Sequence, residues 1–194
     1  ELHGSEHYLG PGLTGPRRTD GLSFRAMPPG CVFGDKGPAI FVADDSAAKL
    51  LALCAVMNSR VFGYLVSVQL ARTELAQSYE VGLIQQTPIP KFSKEAASAL
   101  GHLARRVWSL KRQLDSCNET SHAFLLPRGM GGNLHLAESS DIEREIDSLQ
   151  TQIDEVVFGL YGVAADDRAT IEASTESRRV SPIAAPDGEE EGDD

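Results

Sequence analysis

The sequence has no cysteine pair, no long apolar run and no recognisable leader. Its three cysteines, Cys31, Cys54 and Cys117, are odd in number and widely spaced, without a C-x-x-C pair. That argues against a disulfide framework or a zinc knuckle and for a reducing, cytoplasmic setting. Cys54 lies within an apolar run and reads as a small core residue. No apolar stretch reaches the roughly 18 residues that a membrane-spanning helix requires. The chain starts at Glu1 without Met and without a basic-then-apolar segment, which predicts no targeting signal and fits a piece of a longer protein.

Catalytic signatures are equally scarce. Gly10-Pro11-Gly12-Leu13-Thr14-Gly15 matches G-x-G-x-x-G in letters, but Pro16 and polar residues follow where a dinucleotide site needs a helix. It reads as a Gly-rich turn. Gly129-Met130-Gly131-Gly132 lacks the Lys-Ser/Thr of a phosphate-binding loop and reads as a flexible connection. His3 and His7 have a metal-ligand spacing only if helical, and Gly4 opposes a helix there. His102 reads as a surface residue of an amphipathic helix. There is no G-x-S-x-G elbow and no cysteine in a nucleophile motif. No catalytic residue, bound cofactor or metal site is expected in this chain.

What is present is an ordinary globular composition, with 41% hydrophobic and 24% charged residues over 194 positions. The net charge of -10 is unevenly spread. Residues 136–194 hold 4 Lys/Arg and 17 Asp/Glu, whereas residues 1–135 hold 14 Lys/Arg and 11 Asp/Glu. The acidity belongs to the C-terminal part, and the rest is mildly basic, so the overall charge does not exclude nucleic acid.

Residues 1–45 are punctuated by Gly and Pro, and short strands are expected at Leu22–Phe24, Cys31–Phe33 and Ala39–Ala43. Ser46 is a candidate N-cap for a buried helix through Met57; Asn58 would end it in a left-handed conformation, and Ser59 would cap a second helix to about Gln69. Residues 70–87 read as strand and loop, closing on Thr87-Pro88-Ile89-Pro90, a stiff connector that marks a boundary. Ser93 caps a helix with apolar positions Leu100, Leu103, Val107, Leu110 and Leu114. After a loop from about Cys117 to Ser139, a Ser140/Glu143 capping box opens a helix carrying Ile142, Ile146, Leu149, Ile153, Val156 and Leu160. These matching seams predict an antiparallel helical pair. Everything after about Ser174 reads as disordered, acidic chain. The expected fold is α+β: a small mixed recognition domain (1–92), an antiparallel helical pair (93–165) and a mostly disordered acidic tail (166–194).

Cationic and hydroxyl residues gather in the β-rich half. Pro16-Arg17-Arg18-Thr19-Asp20 puts two Arg forks and a hydroxyl on a turn, Arg25 and Lys36 lie on neighbouring elements, and Gln69, Arg72, Thr73, Gln77, Gln85 and Gln86 follow the second helix. Arg grips guanine edges or phosphate bidentately, Gln pairs with adenine edges, and Lys and Thr reach phosphates. An ordinary surface on which Arg17 and Arg18 pair with Asp20 or Asp35 is the competing reading.

Gly12-Leu13-Thr14-Gly15-Pro16-Arg17-Arg18-Thr19, followed by Pro29-Gly30-Cys31-Val32-Phe33-Gly34-Asp35-Lys36-Gly37-Pro38, resembles the target-recognition region of adenine-specific DNA methyltransferases. These are the fused restriction-modification type and the related phage-defence methyltransferases of BREX and DISARM systems. The resemblance continues through Leu50-Leu51-Ala52-Leu53 with Met57-Asn58-Ser59-Arg60, through Gln86-Thr87-Pro88-Ile89-Pro90, and to Ile153-Asp154-Glu155-Val156-Val157-Phe158-Gly159-Leu160-Tyr161-Gly162. It covers roughly residues 8–172. One departure is Gly15, where the family leads one to expect an aromatic, usually Trp.

The resemblance implies sequence-specific recognition of double-stranded DNA for a transfer of methyl from S-adenosylmethionine to adenine, the base being flipped from the duplex. The cofactor-binding Gly-rich motif and the Asn-Pro-Pro-aromatic motif would precede this region, in an N-terminal methyltransferase domain; neither occurs here. Other defence-system subunits are possible partners. Arg17, Arg18, Thr19 and Lys36 are the first candidates for DNA contact, with Arg25 and Arg72 behind them. The alternative is a protein-interaction module using the helical pair and the acidic tail.

Overall fold

The computed structural model describes residues 5–15, 22–34, 37–70, 81–127 and 139–180, with side chains to residue 175. After a 3-10 turn at Ser5–His7, the chain forms three short strands, β1 (Gly12–Thr14), β2 (Arg25–Met27) and β3 (Ala39–Ile40). β1 lies in the middle and pairs antiparallel with both neighbours. Among the described residues six helices follow: α1 (Ala47–Met57), α2 (Arg60–Leu70), α3 (Val81–Gln86), α4 (Lys94–Asp115), α5 (Ser139–Tyr161) and α6 (Ala165–Val180). The fold is α+β.

Ser46 caps α1, accepting from the Lys49 amide, and Ser93 caps α4 through the Ala96 amide. Ser59 opens α2 in the same way, its hydroxyl accepting from the Phe62 N–H at 3.3 Å. α5 begins at Ser139, so Ser140 lies inside the helix and is not its N-cap.

α1 is apolar all round because two surfaces cover it. Leu50 and Met57 meet Leu13 of β1 and Phe62 and Val66 of α2. Ala52, Ala55 and Val56 face Leu100 and Ala104 of α4, together with Ile153, Val157 and Phe158 of α5. Small residues permit a close approach: a Cβ on Gly101 would stand 3.4 Å from the Ala48 carbonyl oxygen. α4 and α5 form an antiparallel pair, with Leu110 against Ile142, Ile146 and Leu149 at one end and Leu100 near Ile153 and Val157 at the other. Through α1, packing therefore continues from the sheet into the helical pair, on both sides of the Pro88–Pro90 connector. Tyr161 ties that connector down, its hydroxyl donating to the Pro88 carbonyl at 2.8 Å.

Gly162 ends α5. It has φ +64, its N–H reaches the Gly159 carbonyl and the Val163 N–H reaches that of Phe158, a left-handed helix stop that a side chain would strain. No single helix among the described residues is long and apolar enough to cross a membrane.

Several expectations are corrected. Gly12–Thr14 is the central strand and not a plain turn, because Leu13 is fully buried and pairing is available on both sides. Leu22–Phe24 precedes β2, which begins at Arg25; Cys31–Phe33 is not a strand, leaving a lone bridge between Gly34 and Gly37; and β3 stops at Ile40. Residues 81–86, expected as strand or loop, are the helix α3, held by Leu83 and Ile84 against the sheet-side core. The acidic segment expected as tail from Asp166 begins instead as α6, anchored by Ile171 in the central core. Arg168 binds both Glu155 on α5 and Glu172 one turn on, and lies 4.6 Å over the Phe158 ring. Gly129–Gly132 and the acidic run after residue 180 lie outside the described residues.

Candidate nucleic-acid interface

Thr14 closes one end of the sheet. It stands opposite Arg25 of β2 and Ala39 of β3, so β2 and β3 both start where β1 stops. Two connections are therefore rooted there. The first leaves β1 at Gly15 and returns at Leu22. Its base is narrow, since a Cβ on Gly15 would come within 3.0 Å of the Ser23 carbonyl oxygen and 3.2 Å of the Phe24 ring. The second spans Gly34 to Gly37, where the Gly37 N–H donates to the Gly34 carbonyl at 3.1 Å, closing a four-residue turn. Thr14 Oγ1 donates to the Pro38 carbonyl at 3.1 Å, which ties the second connection to the central strand.

The first connection carries Arg17, Arg18 and Thr19, and the second carries Lys36. These four, and Arg72 beyond the end of α2, lie outside the described residues. Arg25 is described: it is exposed at the start of β2, across from Thr14, and makes no ion pair with any described residue. The other candidates of the α2 region divide. Gln69 is committed internally, its amide donating to Thr87 Oγ1 at 2.9 Å and to the Leu65 carbonyl at 3.3 Å. Gln85 and Gln86 are exposed on α3, whereas Thr73 and Gln77 lie outside the described residues.

The position of Arg25 is set by the residue before it. Asn58 Oδ1 accepts from the Phe24 N–H at 2.9 Å, and Asn58 Nδ2 donates to the Phe24 carbonyl at 3.0 Å. The side-chain amide thus pairs with Phe24 as a neighbouring strand would. Asn58 does end α1, but with φ -96 and ψ 5 and not in the left-handed region expected. Its backbone N–H and its side-chain amide both donate to the Cys54 carbonyl, at 3.1 and 2.8 Å. Cys54 Sγ lies 3.6 Å from the Phe24 carbonyl as a weak donor, and burial pushes its thiol up to about 11. It is a core residue and not a nucleophile. The Phe24 ring covers Gly15 and meets Phe62 edge-on, with centroids 6.4 Å apart. The space that an aromatic at position 15 would need is thus filled by Phe24.

Asn58 is held in turn by α5. Gln150 Nε2 donates to the Asn58 carbonyl and to Asp154 Oδ1, both at 3.3 Å. Asp154, buried at 3% exposure, accepts from the Arg60 N–H at 2.9 Å and so caps the start of α2. The Arg60 Nε stands 3.3 Å from Asp154 Oδ2, an ion pair without hydrogen-bond alignment. Sequence reasoning missed this role of Asp154, because the residue sits in the apolar-periodic stretch of α5 and its partner is 94 positions away.

His7 stacks on Phe41 at 4.9 Å, while His3 lies outside the described residues, and no group of three His, Cys, Asp or Glu among the described residues is placed to hold a metal. No protein-family model, curated protein or solved structure matches the chain.

Proposed function

We propose that this chain recognises double-stranded DNA as the C-terminal part of an adenine-specific DNA methyltransferase of a restriction-modification or phage-defence system. One observation carries the DNA reading. The two connections bearing Arg17, Arg18, Thr19 and Lys36 are rooted at the same end of the sheet, beside exposed Arg25. Cations from separate chain segments rooted together suit a backbone or groove edge better than they suit solvent alone. The methyltransferase assignment rests on the order of family-like segments along the sequence. S-adenosylmethionine and the catalytic motif belong to the preceding domain in this reading, and no step of methyl transfer is assigned to residues of this chain. A cytoplasmic setting is part of the same proposal. The alternative of a helical pair that recruits a partner helix is not favoured, since the α4 and α5 seams are buried on each other.

The test is duplex binding by titration at several salt concentrations. The Arg17→Ala, Arg18→Ala double variant is expected to weaken binding and to make the salt dependence shallower by about 2, one phosphate-sized step per cation. Unchanged affinity and slope would refute the assignment.

A further inference from the structure

We propose that the outward face of the C-terminal half of α4, formed by Arg105, Trp108, Lys111 and Arg112, is a second contact surface for the phosphate backbone of duplex DNA. This rests on the reading of the chain as a DNA-recognition part and adds a surface remote in sequence from the sheet end.

The residues are spaced three and four apart, which puts them on one side of the helix. Trp108, the only Trp in the sequence, is left 46% exposed. The Arg112 guanidinium lies over its ring, 5.6 Å from the centroid, so the aromatic and the cation are presented together. Arg105, Lys111 and Arg112 are exposed, and none forms an ion pair with a described residue. Arg106, next along the helix, behaves differently: its guanidinium meets both oxygens of Glu145 at 2.7 and 2.9 Å. The cation turned toward α5 is neutralised, and those turned outward are not. The two carboxylates of α4, Glu95 and Asp115, lie near its ends, while Asp141, Glu143, Glu145 and Asp147 lie on α5.

The dimensions fit a phosphate track. Arg105 and Arg112 are seven residues apart, about 10 Å along a helix, and a DNA strand presents a phosphate about every 3.4 Å of axis. A protein partner is a poorer match. Interfaces between proteins have an apolar core depleted of charge, Lys above all, whereas here three cations in no ion pair with a described residue surround Trp108, the one large apolar side chain exposed on α4 among the described residues. An indole beside a guanidinium can lie against a deoxyribose while the cations follow the backbone.

The single Trp makes the test direct. Duplex DNA titrated into the full chain should quench Trp108 emission in step with binding measured by anisotropy. The Arg105→Gln, Lys111→Gln, Arg112→Gln variant, checked for folding by circular dichroism, should bind on the order of 100-fold more weakly near 0.1 M salt, with the salt dependence shallower by about 2 to 3. A charge-matched control, Lys91→Gln, Lys94→Gln, Arg106→Gln, should change the slope by less than about 1. If the duplex binds, the Arg17/Arg18 variant weakens it, and the α4 variant does not, the second surface is overturned and the sheet-end site stands. Absence of any duplex binding overturns both. If Trp108 emission shifts on raising the protein concentration without DNA, the face is an interface between copies and the proposal fails.

Discussion

Asn58 acts as a strand made from one side chain. By pairing with both backbone groups of Phe24 it completes the edge at which β2 begins, and it fixes the direction from which Arg25 projects. Replacing it with Ala leaves a half-buried N–H and carbonyl without those partners, each worth about 1 kcal/mol or more. Asn58→Ala is expected to lose about 2 kcal/mol in urea unfolding, and to weaken duplex binding further by freeing Arg25. Arg25→Ala should leave stability nearly unchanged and make the salt slope of duplex binding shallower by about 1; an unaltered slope would remove Arg25 from the interface. The thiols offer a separate check. Cys54, protonated to about pH 11 by burial, should resist alkylation in the folded protein at pH 8. All three cysteines are partly buried, but of the three Cys54 alone packs against a core cluster, so Cys31 and Cys117 should be modified first, as mass spectrometry of the labelled peptides would show.

The helices α1, α2, α4 and α5 were legible because each advertises itself locally, by a serine cap or by an apolar seam at steps of three and four. Of the strands, β3 was foreshadowed within Ala39–Ala43, but β1 and β2 were not. β1 is three residues long and contains a glycine, and it is a strand because Leu13 anchors it between two neighbours, a tertiary cause with no local signature. α3 and α6 were missed for a similar reason, since single contacts by Leu83, Ile84 and Ile171 order segments whose own pattern is weak. At the candidate site the cationic residues were visible as residue types, but the Asn58 to Phe24 pairing and the Asp154 cap were not, because each partner is distant in sequence. Where α5 ends, Gly162→Ala should cost about 1 kcal/mol by placing a Cβ in the left-handed region, measured by thermal unfolding. The joint between α5 and α6 should also respond to acid. Arg168, by hydrogen bonding and charge, holds Glu155 below the usual carboxylate range. The resulting stabilisation is present above the ordinary glutamate range and is lost as pH falls through the lowered value. Protection of the α6 amides, taken relative to their intrinsic exchange rates, should fall on acidification, and Glu155→Gln should lessen that loss.

At the scale of the whole molecule, the sheet end and the helical pair are parts of one packed body. α1 is covered on one side by β1 and on the other by α4 and α5. A fragment ending at residue 92 would expose the Ala52, Ala55 and Val56 face to water, and it is expected to show no cooperative unfolding transition by circular dichroism, whereas the chain through α6 should. A cooperative transition in the short fragment would show that the sheet end folds alone. The buried hook from Asp154 to the start of α2 has a further consequence, for the order of events during synthesis. It joins positions 94 residues apart, and Tyr161 reaches back 73 residues to Pro88. Contacts of that span form late, after much chain has been ordered against them. Residues 1–92 would therefore wait, with α1 uncovered, until α4 emerged, and the start of α2 would lack its Asp154 cap until α5 followed. In the cell, the proposed DNA-contacting end would be completed only by helices made after it.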